Sequence, residues 1–129
     1  MDILLVDDNL LMQQVLERFL GSLGYSIVPA MRADEAVEKA RACPPALILM
    51  DLHLPDRDGS EAIKLIRELP GCHDIPAIAM SGLDEHDARA LVTHEFSRYV
   101  AKPIDLDYLE QTVREFMLLS QTRSVGLLS

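Results

Sequence analysis

The run Asp2-Ile3-Leu4-Leu5-Val6 ends on the acid pair Asp7-Asp8, and the run Ala46-Leu47-Ile48-Leu49-Met50 ends on Asp51. Two more runs finish in the same way. Ile75-Pro76-Ala77-Ile78-Ala79-Met80 stops at Ser81, and Arg98-Tyr99-Val100-Ala101 stops at Lys102. Short continuous apolar runs are how parallel strands covered on both faces are written. If these are parallel strands of one sheet, their polar ends converge on its carboxyl edge, where open α/β sheets bind ligands. Three carboxylates, a hydroxyl and an ammonium then share one cleft. That set suits a divalent cation together with a phosphoryl group.

Outward from these runs, strand-like and helix-like stretches alternate. Asn9 can cap a helix to about Leu20, in which Leu10, Leu11, Val15, Leu16, Phe19 and Leu20 recur at helical spacing before Gly21 and Gly24 break it. Tyr25-Ser26-Ile27-Val28 reads as a second strand ended by Pro29. Arg32 to Ala42 is predicted helical, with Ala36, Val37 and Ala40 inward, and Pro44-Pro45 stop it. Asp56-Arg57-Asp58-Gly59 reads as a turn, and Ser60 is expected to cap a helix from Glu61 to Leu69 that turns Ala62, Ile63, Leu65 and Ile66 inward. Asp84 can cap a helix to about Glu95, with Ala88, Leu91 and Val92 inward. A last helix is expected from about Asp105 to Leu119, with Tyr108, Leu109, Val113, Phe116 and Met117 on its core face. Five βα units in 129 residues predict one α/β domain. Its form is a flavodoxin-like, doubly wound five-stranded parallel sheet of order 2-1-3-4-5 with helices on both faces. Strands one and three are neighbours in that order, so Asp7-Asp8 and Asp51 meet through topology rather than through sequence spacing. The domain is expected to cover 1–119, with 120–129 as a C-terminal tail.

Composition narrows the function classes. Lys and Arg number 12 against 21 Asp and Glu, for a net charge of −9. Without a basic block such a chain is a poor candidate for direct nucleic-acid binding, which rests on phosphate neutralisation. The same charge disfavours anionic membranes, and no stretch approaches the ~20 apolar residues of a membrane span. Asp2, Asp7 and Asp8 interrupt the first apolar run, so no signal peptide is expected. Cys43 and Cys72 lack metal-ligand spacing and read as reduced thiols of a cytoplasmic protein. His53, His73, His86 and His94 form no metal pattern either.

Leu5-Val6-Asp7-Asp8-Asn9, Met50-Asp51 through Pro55 and Asp58-Gly59, Met80-Ser81-Gly82, and Tyr99-Val100-Ala101-Lys102-Pro103 stand in the order and at the spacings of a known family. Over about residues 1 to 119 the chain resembles a response-regulator receiver domain of two-component signalling. Each motif alone is weak, and the set is highly specific. The resemblance implies that Asp51 is the phosphoacceptor and takes its phosphoryl group from a phosphohistidine of a histidine kinase or phosphotransfer protein. It implies Mg²⁺, with Mn²⁺ as the alternative ion, on Asp7, Asp8, Asp51 and the backbone carbonyl of His53. Lys102 and Ser81 would each hold a phosphoryl oxygen. Ser81 and Tyr99 would form a switch that alters a partner-binding face. The Lys102–Pro103 bond would be cis. Such a domain catalyses its own phosphorylation and dephosphorylation and is not a turnover enzyme on an external substrate. A phosphorylation-dependent homodimer stays open, as do the downstream partner and the choice between a stand-alone regulator and a receiver of a larger chain such as a hybrid kinase.

Each residue also has a plainer reading. Asp7 and Asp8 suit a helix start, Asp51 a turn, Ser81 a loop, Lys102 a solvated surface, and Tyr99 a half-buried ring with a hydrogen-bonded hydroxyl. Joint placement at strand ends is what favours the site. Arg57 and Ser60 stand where the family usually has apolar residues, and Glu95-Phe96-Ser97 lacks the usual glycine. These departures bear on partner surfaces more than on chemistry. A haloacid-dehalogenase-type phosphatase also forms an aspartyl phosphate, but it needs a second Asp where His53 stands. A degenerate receiver serving only as an interaction module is opposed by the complete set of Asp7, Asp8, Asp51, Ser81 and Lys102.

Overall fold

Alternation along the strands sorts the core into two layers. In the computed structural model, which describes residues 2–82 and 96–128 (backbone only for 120–128), β1 (Asp2–Val6) and β3 (Leu47–Asp51) lie side by side, and β3 is buried throughout. Leu4, Val6, Ile48 and Met50 face α2 (Ala33–Ala42) and α3 (Gly59–Arg67), packing with Ala36, Ala40, Ile63 and Ile66. Ile3, Leu5, Leu47 and Leu49 face the other way, onto Leu16 and Leu20 of α1 (Leu10–Ser22) and Leu109 and Val113 of α4 (Leu106–Leu128). Fully burying one such aliphatic side chain contributes about 1.5–3 kcal/mol, far more than any surface ion pair here. With β2 (Ser26–Ala30), β4 (Ala77–Ser81) and β5 (Arg98–Ala101), the parallel sheet has the order β2-β1-β3-β4-β5. The doubly wound architecture expected from sequence is therefore the one observed. No helix among the described residues is long and apolar enough to cross a membrane.

Several local expectations need correction. Pro29 lies inside β2 rather than ending it. β2 is an edge strand, and the carbonyl of Ala30 turns toward β1 to accept from Asp7 N at 3.0 Å, so the position of Pro29 faces outward, where no ladder donor is needed. The outward carbonyl of Pro29 accepts from Lys39 Nζ. Asp58, not Ser60, stands at the N-cap of α3, because the chain folds back so closely that helix and turn merge at Gly59. A Cβ there would lie 2.5 Å from the Asp51 carbonyl oxygen, so only glycine fits. The last helix continues to Leu128 rather than stopping near Leu119. Asp105 caps it, with Oδ1 accepting from the Asp107 and Tyr108 amides at 2.9 and 3.2 Å. Tyr108 is 40% exposed instead of inward, and Thr112 is buried in its place, its hydroxyl donating to the Tyr108 carbonyl at 2.8 Å. The helix expected over 84–95 lies outside the described residues.

Candidate functional site

Asp7 leaves β1 fully buried, and Asp51 ends β3 only 4% exposed, while Asp8 points into solvent. One carboxylate oxygen from each of the three lies within 4.8 Å of the others. Lys102, just past β5, reaches across: its Nζ is 3.0 Å from Asp51 Oδ2 and 3.3 Å from Asp7 Oδ2. Sequence positions far apart thus meet at one edge because strands β1, β3, β4 and β5 end together.

The remaining oxygens and backbone groups hold these carboxylates still. Asp7 Oδ1 accepts from the Asn9 amide at 2.9 Å, and Asn9 Oδ1 accepts from Met12 N at 3.0 Å as the N-cap of α1. Asp51 Oδ1 accepts from His53 N at 3.0 Å, which fixes the turn just after the strand. His53 pairs back with Asp58, and Gly59 N donates to Leu52 O at 2.9 Å, so the whole β3–α3 loop is folded onto the end of β3. Ser81, wholly buried, ends β4 beside Ala101. Tyr99 pairs with Ala79, two residues before Ser81, so Tyr99 and Ser81 share one face of the sheet. The Lys102–Pro103 peptide is cis.

Electrostatics follow from burial. Loss of water raises the pKa of Asp7; the Asn9 amide and Lys102 work against the rise, and the charge of Asp51 adds to it. Burial also opposes the Lys102 ammonium, but its hydrogen bond to Asp51 and the charges of Asp51 and Asp7 outweigh that, and its pKa is raised. Among the described residues the cleft sets the three carboxylates of Asp7, Asp8 and Asp51 against the one ammonium of Lys102. An all-oxygen donor set with excess negative charge fits a hard divalent cation such as Mg²⁺.

Two supporting residues were not singled out by sequence reasoning. Gln13 is 5% exposed, and its Nε2 donates to Ala30 O at 2.9 Å and Asp7 O at 3.4 Å. Asp56 accepts from Ala33 N at 2.9 Å and Asp34 N at 3.0 Å. An amide among the inward positions of α1 is a readable signal for the first. For the second there is none, because its partners lie in another helix.

A family model described as the response regulator receiver domain matches residues 3–114. Over 119 residues the chain is 34% identical to an uncharacterized 14.6 kDa protein from the sodA1 3′ region of Leptolyngbya boryana, covering 92% of this chain and 91% of that one. It is 32% identical over 121 residues to the signal transduction histidine-protein kinase BarA of Escherichia coli, covering 90% of this chain but only 13% of the kinase. The crystal structure of the receiver domain of sensor histidine kinase PA1611 from Pseudomonas aeruginosa, with a magnesium ion coordinated in its active site cleft, superposes with a TM-score of 0.83 at 32% identity, covering 89% of this chain and 95% of that one.

Proposed function

The chain belongs to the response regulator receiver family of two-component signalling, and from that premise we propose that Asp51 accepts a phosphoryl group from a phosphohistidine. The observation that carries the reading is the Lys102 ammonium set between Asp51 and Asp7, with Asp8 completing the cluster. A carboxylate oxygen of Asp51 attacks phosphorus. The P–N bond to the donor imidazole breaks, and its electron pair stays on that nitrogen. Lys102 and the Ser81 hydroxyl each hold a phosphoryl oxygen and offset charge in a loose transition state. Asp7, Asp8, Asp51 and the His53 carbonyl would hold Mg²⁺, which supplies the positive charge that lets an anionic phosphoryl group approach carboxylates. Ser81 drawn toward the phosphoryl group would leave room for Tyr99 to turn, which their shared sheet face supports. The donor would be a histidine kinase or a phosphotransfer domain, and Leu10, Leu11 and Val15, exposed on α1 beside the acid pair, offer it an apolar surface.

Intact mass after incubation with phosphoramidate tests this reading. One phosphoryl adduct is expected with Mg²⁺, and none in EDTA or in Asp51→Asn. An adduct that persists in Asp51→Asn would overturn it.

A further inference from the structure

Helix α2 lacks a capping side chain at its N-cap position. Its N-cap residue is Arg32, whose side chain makes no capping hydrogen bond. Of the orphan amides of its first turn, that of Glu35 is served locally by Asp34 Oδ1 at 2.8 Å, and two are served from elsewhere: Asp56 Oδ1 accepts from Ala33 N at 2.9 Å and Asp56 Oδ2 from Asp34 N at 3.0 Å. Glu35 reaches back to Met31 N at 2.7 Å. Both oxygens of Asp56 are thus committed to a helix 22 and 23 residues earlier in the chain. Burial opposes the Asp56 charge, but the amides of Ala33 and Asp34 outweigh it, so the carboxylate stays ionised. Asp56 sits in the loop between Asp51 and Gly59, three positions after His53.

We infer that Asp56 is a positioning residue, which ties the β3–α3 loop to the N-terminus of α2 and so fixes the His53 backbone at the cation site. The loop has inner restraints at its two ends: His53 N on Asp51 Oδ1, the His53–Asp58 bridge, and Gly59 N on Leu52 O. Its outer bend has the two bonds from Asp56 to α2, which reach a different element. Without them the bend keeps only the packing of Leu54 on the α2/α3 core and the exposed Arg57–Glu61 pair, at 3.9 Å, beyond its bonds to the strand it leaves. The carbonyl of His53 would then sample more orientations, and a cation that demands near-ideal octahedral geometry would bind less tightly. Arg32 at a position that favours Ser, Thr, Asp or Asn is the complementary sign: the helix relies on the loop, and the loop on the helix.

This inference rests on the Mg²⁺ reading of the cleft, and the variants separate the two. Asp56→Ala removes the tether and also uncaps α2. Asp56→Ala with Arg32→Ser gives the helix a local cap, leaves net charge unchanged and keeps the loop untied. Asp56→Asn removes the charge but keeps one acceptor for Ala33 N. Mg²⁺ affinity is read by NMR titration of the His53 and Asp8 amides, alongside thermal melting. The double variant should recover the melting temperature lost in Asp56→Ala while its Mg²⁺ affinity stays about tenfold weak, the low end of what lost supporting contacts cost metal sites. Asp56→Asn should bind within about twofold of wild type, since the lost charge is screened. A double variant that binds Mg²⁺ like wild type, or an Asp56→Asn that falls as far as Asp56→Ala, overturns the tether. Wild-type protein that shows no saturable Mg²⁺ binding overturns the cation site itself.

Discussion

Gln13 places an uncharged donor against two carbonyls, one of them on Asp7, in a position closed to water. Gln13→Met keeps the volume and loses the donor. It is expected to cost about 1 kcal/mol in urea unfolding, the net worth of one buried hydrogen bond. Gln13→Glu sets a carboxylate against the same carbonyls and should cost more at neutral pH, with the deficit shrinking in acid as the group protonates. Equal stability for Glu and Met at neutral pH would remove Gln13 from the support of Asp7. Asp56 titrates with the opposite sense. Its folded-state pKa is depressed, because the Ala33 and Asp34 amides outweigh burial. Its stabilisation is complete above the unfolded carboxylate value, about 3.9, and is lost as pH falls through the lower folded value. The melting-temperature gap between wild type and Asp56→Ala should therefore be full at neutral pH and close only in strong acid. A gap that already closes near pH 6 contradicts the assignment.

Helix α1 carries two stripes. Gln13, Leu16 and Leu20 are buried, whereas Leu11 is 71% exposed and Val15 is 44% exposed. Apolar spacing alone shows that a helix forms here, but it does not tell an inner stripe from an outer one. If the outer stripe receives the phosphohistidine donor, Leu11→Asp with Val15→Asp should slow phosphotransfer from a phosphorylated protein at least about tenfold, the loss of roughly 1.4 kcal/mol of docking. Phosphorylation by phosphoramidate, which needs no docking, should be unchanged. Equal slowing with both donors would place the defect in the site, and no slowing would move docking elsewhere. Other elements show why parts of the fold were legible. The runs ending at Asp7, Asp51 and Ser81 are readable because burial on both faces leaves no polar interruption before the edge, whereas the run ending at Lys102 is a half-buried edge strand that carries Arg98. Pro29 resembles a strand stop in the sequence because its tolerance depends on lying at the sheet's edge, which only the strand order reveals. The end of α4 is not legible in the sequence because residues 120–128 carry no apolar period, and backbone bonding continues without one. The Asp56 tether was invisible for a related reason: a cap supplied from a distant loop leaves no local signature.

For the molecule as a whole, the cleft sets function against stability. Lys102 offsets part of the crowding of Asp7, Asp8 and Asp51, and if the cleft takes Mg²⁺ as proposed, the ion should stabilise the native state by mass action. At tenfold excess over its Kd the gain is about 1.4 kcal/mol, read as a raised melting temperature. Asp8→Ala should abolish that gain and melt no lower than wild type without metal, since it removes charge from a crowded edge. A melting temperature indifferent to millimolar Mg²⁺ would count against the cluster. The free edge of β2, beside β1, bears on the molecule's behaviour in concentrated solution. On the outer rim of β2, proline removes a donor and Lys39 occupies the neighbouring acceptor. A second chain looking for a strand to extend finds a broken ladder and a positive charge there. This flank should therefore resist templated aggregation at high protein concentration, and Pro29→Val with Lys39→Ala is the pair of changes expected to make it seed fibrils.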